Sequence, residues 1–203
     1  MTKCEACGNG ISKQAKGCPR CGHPNPDFLE AQKNAMQLAE EDAVMAKGGQ
    51  DTLSKIRQAK EDGETKLYLY GNQIRDLTSL AELPQLTLLS LYDNEITDLT
   101  PLAGLTNLAE LQLYGNQIKD LTPLAGLTNL KRLFLSKNRI TDVTPLTGLT
   151  KLEELNLGQN RVIAVTPLAG MTNLRELSIE GNTTTEAQKA MLRRALPNCK
   201  ISF

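Results

Sequence analysis

The chain is poor in aromatic residues and carries no excess of one charge. Its 203 residues include no tryptophan, four tyrosines, three phenylalanines and one histidine, while Lys+Arg and Asp+Glu both number 23. A net charge of zero disfavours a protein that coats nucleic acid with a generally basic surface. With so few aromatics the core must be aliphatic, and the 34 leucines indicate a repeated pattern.

Long hydrophobic runs are also missing. No apolar run approaches the roughly 18 residues needed to span a bilayer. The N-terminal residues contain no hydrophobic signal-peptide core, since they read MTKCEACGNGISKQAKGCPRCG. We therefore expect a soluble, cytoplasmic protein without membrane contact.

Side chains for nucleophilic catalysis are scarce. His23 is the only histidine, and it lies beside a cysteine cluster, so no Ser-His-Asp or Cys-His arrangement can form in the rest of the chain. The phosphate-binding motif G-x-x-x-x-G-K-[ST] is absent. Cys199, outside the cluster, is expected to be a buried residue near the C-terminal end. We predict that the protein is not an enzyme.

A 22-residue period runs through most of the chain. Segments of the form L-x-[LI]-x-x-N recur from Leu67 to Leu177, with asparagines in unbroken register at Asn72, Asn94, Asn116, Asn138, Asn160 and Asn182. The alternating leucines predict a short strand, and the later leucines, three residues apart, predict a tight helical turn. Pairs such as Thr100-Pro101 predict the start of that turn, with the threonine hydroxyl as its cap.

These units resemble the leucine-rich-repeat family, in particular its 22-residue bacterial internalin-like type. The phrase N-x-I-x-D-L-T-P-L-A-G-L-T-N-L carries the resemblance and is intact at 94–108 and 116–130. It implies an α/β repeat fold, a right-handed solenoid with a parallel sheet on the concave side and 3₁₀ turns on the convex side. The resemblance and the amide's donor and acceptor groups together predict that the Asn column binds backbone groups at the bend after each strand. The repeated acids are expected to cap or solvate the convex turns, a calcium ladder being the weaker alternative; they are Asp76, Asp98, Asp120 and Asp142.

Four cysteines form two C-x-x-C pairs near the N-terminus, Cys4 with Cys7 and Cys18 with Cys21. Zn²⁺ takes four thiolates in a closed tetrahedral site, so this spacing predicts one structural zinc ion in preference to a redox dithiol. His23 could replace a cysteine, but the four-sulfur set is already complete. The segment resembles the short zinc-ribbon domains of many bacterial proteins.

Repeat arrays need caps, because an end coil cannot bury its own hydrophobic face. Amphipathic helical patterns flank the repeats, and the C-terminal pattern, from Thr185 to Leu196, precedes a last strand at 199–203. We predict five regions: a zinc ribbon at 1–26, a helical linker at 27–50, an N-terminal cap helix at 51–64, the leucine-rich repeats at 65–182 and a C-terminal cap at 183–203.

Residues that alternate with the inward leucines are predicted to face solvent on the concave sheet. All four tyrosines and one phenylalanine fall in this set. Exposed tyrosines are effective binding anchors, although a ladder copied by duplication can also simply stabilise the sheet. The predicted partner-binding residues are Tyr68, Tyr70, Leu88, Tyr92, Gln112, Tyr114, Arg132, Phe134, Glu154 and Glu176.

The sequence therefore favours a non-catalytic adaptor that binds a protein or peptide on its concave face and carries a structural zinc ribbon. Two alternatives stay open. Basic residues of the ribbon could contact nucleic acid, which is disfavoured because the ribbon lacks aromatics and zinc thiolates offset its charge. The aromatic patch could instead join copies of this chain into a homo-oligomer.

Overall fold

The computed structural model describes residues 2–3, 10–11 and 50–203, with side chains from Thr52 onward. It divides into two compact units, Met1–Gln50 and Asp51–Phe203. In the first, strand β1 (Thr2–Lys3) pairs antiparallel with β2 (Gly10–Ile11). Both cysteine pairs, His23 and the predicted linker helix lie outside the described residues.

The second unit contains a parallel sheet of seven three-residue strands in chain order. The strands are β3 (Lys66–Tyr68), β4 (Leu88–Ser90), β5 (Glu110–Gln112), β6 (Arg132–Phe134), β7 (Glu154–Asn156), β8 (Glu176–Ser178) and β9 (Lys200–Ser202). From β3 to β8 each residue pairs with the residue 22 positions later, as Leu67 does with Leu89. The sequence period is therefore one turn of the repeat structure, which we call a coil. The coils are numbered in chain order, the first being the one that begins with β3.

Each of the first five coils returns through a 3₁₀ helix opposite the strand. These helices span Thr78–Glu82, Thr100–Leu102, Thr122–Leu124, Thr144–Gly148 and Thr166–Gly170. Leucines three residues apart are joined by backbone bonds of the same spacing: the Leu102 N–H donates to the Leu99 carbonyl at 2.9 Å, and Leu105 to Leu102 at 3.0 Å. Because three residues complete a 3₁₀ turn, these leucines share one face and enter the core. The predicted parallel sheet and 3₁₀ turns are confirmed.

The core is a continuous column of aliphatic side chains between the sheet and the 3₁₀ turns. Leu111, Leu113 and Leu124, from the middle of the array, are all fully buried. Two helices flank the column. Helix α1 (Gln50–Glu61) buries Ala59 against it, and helix α2 (Glu186–Ala195) buries Leu192.

The chain ends in a capped helix and a strand that extends the sheet. Thr185 and Gln188 form a capping box at the start of α2, with the Gln188 side chain accepting from the Thr185 N–H at 2.8 Å. Strand β9 then pairs with β8 at an offset of 24 residues. Cys199 is half-buried against the core, and burial raises the pKa of its thiol. Within residues 50–203 no helix is both long and apolar enough to span a bilayer.

Candidate partner-binding face

The candidate face is the outer surface of the seven-stranded sheet, which we call the sheet face. The parallel register places two columns of side chains on it, one residue per strand in each, and a third column follows two residues after the end of each strand from β3 to β8. The first column begins at Lys66, the second at Tyr68 and the third at Tyr70. The ten residues predicted to bind a partner occupy these columns.

The third column opens with a stack of three tyrosine rings. Ring centroids of Tyr70 and Tyr92 lie 4.6 Å apart with an interplanar angle of 1°, and those of Tyr92 and Tyr114 lie 4.5 Å apart at 8°. Burial, followed by the proximity of Tyr92 and Asp93, raises the pKa of the Tyr114 hydroxyl. Each inner ring face is therefore covered by its neighbour, which leaves Tyr92 to meet a partner mainly through its edge.

Only the N-terminal end of this stack offers large exposed aromatic surface. Tyr70 is 50% exposed and Tyr68, in the adjacent column, is 51% exposed. Tyr92, Tyr114 and Phe134 are half-buried. The alternating pattern predicts that all of these aromatics face solvent, and in the structure Tyr68 and Tyr70 are the most exposed of them, because stacking covers ring area within the ladder.

A groove of about 460 Å³ adjoins the two exposed tyrosines. Helix α1 contributes Lys55 and Gln58 to its wall, and the start of the first coil contributes Glu64 and Lys66. Amphipathic tyrosines beside charged and amide groups can anchor a side chain and orient it at the same time.

The first two columns contain a buried polar network that the sequence did not reveal. Glu110 was expected to be exposed, yet it is only 8% exposed, and Arg132 forms an ion pair with it. Gln112 donates to the Glu110 carboxylate at 2.6 Å and accepts from the fully buried Ser90 hydroxyl at 2.9 Å. A buried carboxylate needs a partner. Arg132 and Gln112 therefore stabilise the sheet by pairing with Glu110, in addition to lying on the surface predicted to bind a partner.

A second groove, about 630 Å³, follows the strand starts past Leu88, Arg132, Glu154 and Glu176. Its acids are largely neutralised, since Arg175 pairs with Glu153 at 3.3 Å and Lys200 with Glu176 at 3.6 Å. The acidic residues at this end of the face therefore belong to a mixed surface of alternating charge. Such a surface sets the register of a partner more than its affinity.

The Asn column is built into the coil interior as predicted. Asn116 is a typical member: its side-chain amide donates to the Leu91 and Leu113 carbonyls at 2.9 and 3.0 Å, and its oxygen accepts from the Ile96 N–H at 3.0 Å. These bonds satisfy backbone groups at the bend after each strand. The Asn column therefore stabilises the backbone that supports the sheet face.

The turn caps differ from the prediction in one respect. The carboxylate of Asp98 accepts from both the N–H and the hydroxyl of Thr100, at 2.9 and 2.6 Å, so the aspartate caps the turn and the threonine is its first residue. The same N–H bond forms at Asp76, Asp120 and Asp142. Within residues 50–203 no group of three or more His, Cys, Asp or Glu is arranged to hold a metal ion.

Comparison with known proteins identifies the family to which this fold belongs. The family model "Leucine Rich repeats (2 copies)" matches four overlapping segments, 65–104, 84–126, 106–148 and 128–170, which together cover more than half of the chain. The chain belongs to the leucine-rich-repeat family. A search of curated proteins gives no significant match.

Solved structures support the bacterial internalin type of this repeat protein. The Leptospira interrogans leucine-rich-repeat protein LIC12759 is 34% identical, with a TM-score of 0.64 over 68% of this chain and 36% of its own. Internalin C2 of Listeria monocytogenes is 33% identical, with a TM-score of 0.57 over 73% of this chain and 80% of its own. This repeat protein thus spans about a third of the Leptospira protein.

A more distant neighbour shares the fold alone. The leucine-rich-repeat ectodomain of the Arabidopsis thaliana receptor kinase GASSHO1/SCHENGEN3, solved in complex with CASPARIAN STRIP INTEGRITY FACTOR 2, is 24% identical. Its TM-score is 0.55 over 66% of this chain and 17% of its own. The leucine-rich-repeat fold is a common scaffold for protein–protein interaction, and repeat proteins of the internalin type are typically non-catalytic.

Proposed function

We propose that this repeat protein is a non-catalytic adaptor that binds a protein or peptide at the N-terminal end of its sheet face. The observation that carries the proposal is the pair of half-exposed rings, Tyr68 and Tyr70, beside a groove of about 460 Å³. Large exposed aromatics are costly to leave in water and are enriched at binding hot spots. A distant protein of the same fold solved with a bound partner is consistent with this use.

The stacked geometry decides which tyrosines to change. Tyr68→Ser and Tyr70→Ser together remove the exposed ring area, whereas Tyr92→Ser breaks the stack but removes little area that a partner can reach. We expect a partner recovered by affinity capture, purified and titrated by calorimetry, to bind the double variant at least tenfold more weakly. Tyr92→Ser is the matched control and should change affinity by less than threefold while lowering the melting temperature.

Equal affinity for the wild type and the double variant would place the site elsewhere. Light scattering separates a second explanation. If the wild-type chain is a dimer and the double variant a monomer, the exposed rings join copies of this chain, and the adaptor proposal at this end fails.

We further propose that Cys4, Cys7, Cys18 and Cys21 hold one structural Zn²⁺ ion. Four thiolates are the donor set that a closed zinc site requires. The pairing of Lys3 with Gly10 brings together the ends of the segment that contains Cys4 and Cys7, which suits a compact ligand loop. We also propose that the protein is located in the cytoplasm, because the cysteines must stay reduced to bind the metal and the cytoplasm is a reducing compartment.

Metal analysis of freshly purified protein tests the zinc site. We expect about one zinc per chain, falling toward zero in the Cys4→Ser, Cys7→Ser double variant, whereas Cys199→Ser should leave the stoichiometry unchanged. A wild-type value near zero, with thiol titration showing two disulfides, would exclude the site.

A further inference from the structure

The segments that follow the strands form one flank of the sheet. In coils three to five the exposed charged side chains of this flank include four cations. After β6 the side chains alternate: Lys137 and Arg139 are exposed, while Asn138 and Ile140 between them are buried. The Arg139 N–H donates to the Ile118 carbonyl at 2.9 Å, which places Arg139 against the segment of the preceding coil that contains Gln117 and Lys119.

The following coil continues the same row. The Arg161 N–H donates to the Ile140 carbonyl at 2.9 Å, so Arg161 lies next to Arg139. Val162 is fully buried, and Ile163 beyond it is 64% exposed. We call Lys119, Lys137, Arg139 and Arg161 the basic strip; Ile163 lies at its C-terminal end.

The strip is not neutralised within residues 52–203. None of its four cations has an ion pair or a side-chain hydrogen bond there. Earlier on the same flank the arrangement differs, because Arg75 pairs with Glu95 at 2.5 Å. Two exposed acids adjoin the strip in sequence, Asp120 directly after Lys119 and Asp142 three residues after Arg139, and each carboxylate accepts a hydrogen bond from the N–H of the threonine two residues later.

Two residues of this region are unfavourable for the stability of the fold at their positions. Lys137 has a φ of +54° at a position that glycine fills in three coils and that Asp93 and Gln159 fill in two others with similar φ values, and a left-handed conformation costs a non-glycine residue about 1–2 kcal/mol. Ile163 exposes apolar area where the preceding coils have Thr141 or Lys119. The strain at Lys137 recurs outside the strip, so the exposed apolar side chain of Ile163 is the feature that points to a partner here.

We propose that the basic strip binds an acidic segment of a protein partner, with carboxylates on Lys119, Lys137, Arg139 and Arg161 and an apolar side chain on Ile163. Arginine pairs with carboxylates through two parallel hydrogen bonds, which gives orientation as well as attraction. The strip is separate from the exposed tyrosines, so this inference does not depend on the proposed adaptor site.

A labelled decaglutamate peptide with a leucine at each end tests the strip by fluorescence anisotropy in low salt. We expect the Arg139→Glu, Arg161→Glu double variant to bind at least tenfold more weakly than the wild type. The matched control, Arg57→Glu with Arg194→Glu, makes the same net-charge change on the exposed surfaces of α1 and α2 and should stay within twofold.

Two further variants keep the test independent of folding. Lys137→Gly should bind about threefold more weakly although its melting temperature rises, and Ile163→Ser should remove the advantage of the leucine-ended peptide over plain decaglutamate. Equal losses in the strip and control variants, or no binding by the wild type, would overturn the proposal. Tighter binding of a 20-nucleotide thymidylate at the same residues would also overturn it, in favour of nucleic acid.

Discussion

At the scale of single residues, one position of the repeat lies in the left-handed region in every coil. It precedes the buried asparagine and is filled by glycine in three coils, at Gly71, Gly115 and Gly181, with φ between +68° and +70°. Gln159 occupies the same position with a φ of +53°. Glycine adopts this conformation without steric cost, whereas a β-carbon is crowded by the following carbonyl.

Gln159→Gly should therefore stabilise the protein by about 0.5 kcal/mol, the relief of left-handed strain less the entropy that glycine loses on folding. Urea denaturation measures the gain. Gln159→Ala, which retains the β-carbon, is the control and should not be more stable than the wild type. A stabilised alanine variant would mean that the glutamine side chain, not the backbone, is the source of strain.

The buried asparagines stabilise the coils through hydrogen bonds that no apolar side chain can replace. Asn116→Leu leaves the Ile96 N–H and two carbonyls without partners inside the coil. Each unsatisfied buried group costs about 1–3 kcal/mol, so we expect a loss of roughly 3 kcal/mol or more in urea denaturation. Asn182→Leu breaks equivalent bonds at a half-buried site and should cost clearly less. Equal losses would show that burial does not set the cost.

At the scale of elements, the fifth coil lacks the aspartate cap of the other 3₁₀ turns. Ala164 stands where the preceding coils have Asp76, Asp98, Asp120 and Asp142, so the Thr166 N–H has no counterpart of the bond that the threonine N–H donates to aspartate in those coils. Ala164→Asp should stabilise the protein by about 0.5–1 kcal/mol, within the range for such caps. A thermal melt tests this, with Ala164→Glu as the control, because it adds the same charge on a longer side chain. A gain from glutamate as large as that from aspartate would indicate a general charge effect.

The same caps predict a response to acid. Hydrogen bonds from the threonine side chain and backbone lower the pKa of Asp98, Asp120 and Asp142 in the folded state. A lowered folded-state pKa contributes stability above the unfolded value of about 3.9, and that stability is lost as pH falls through the folded-state pKa.

The melting temperature should therefore fall from about pH 4 downward as these caps protonate. The triple variant Asp98→Asn, Asp120→Asn, Asp142→Asn keeps an oxygen acceptor that does not titrate, so its melting temperature should fall less steeply over this range. Parallel curves for the two proteins would assign the acid response to other carboxylates, such as Glu82, whose pKa is lowered by Lys60, and Glu186, whose pKa is lowered by Lys189.

At the scale of the whole molecule, the period determined most of what could be predicted. An offset of 22 residues places Leu67 beside Leu89 and Tyr70 beside Tyr92 with no further information. Side-chain conformation is not contained in the period. The parallel rings of Tyr70 and Tyr92, the burial of Glu110 beneath Arg132 and the choice between Asp98 and Thr100 as the cap all depend on rotamers and on neighbours in the same or the adjacent coil. Sequence spacing therefore located the sheet face but not its most exposed end.

Because each coil of a repeat array contacts only its neighbours, the array also predicts which coils a destabilising substitution affects. Leu113 in the third coil and Leu192 in helix α2 are both fully buried, so replacing either with alanine should remove about 2–5 kcal/mol of packing and leave a cavity. The consequences should differ by position. Loss at Leu192 loosens the cap and should speed amide hydrogen exchange mainly in the fifth and sixth coils, since an end can fray without disturbing the middle. Loss at Leu113 interrupts the column itself and should speed exchange on both sides of the third coil. Hydrogen exchange followed by mass spectrometry distinguishes these patterns, and uniform acceleration by Leu192→Ala would show that the coils unfold as one cooperative unit.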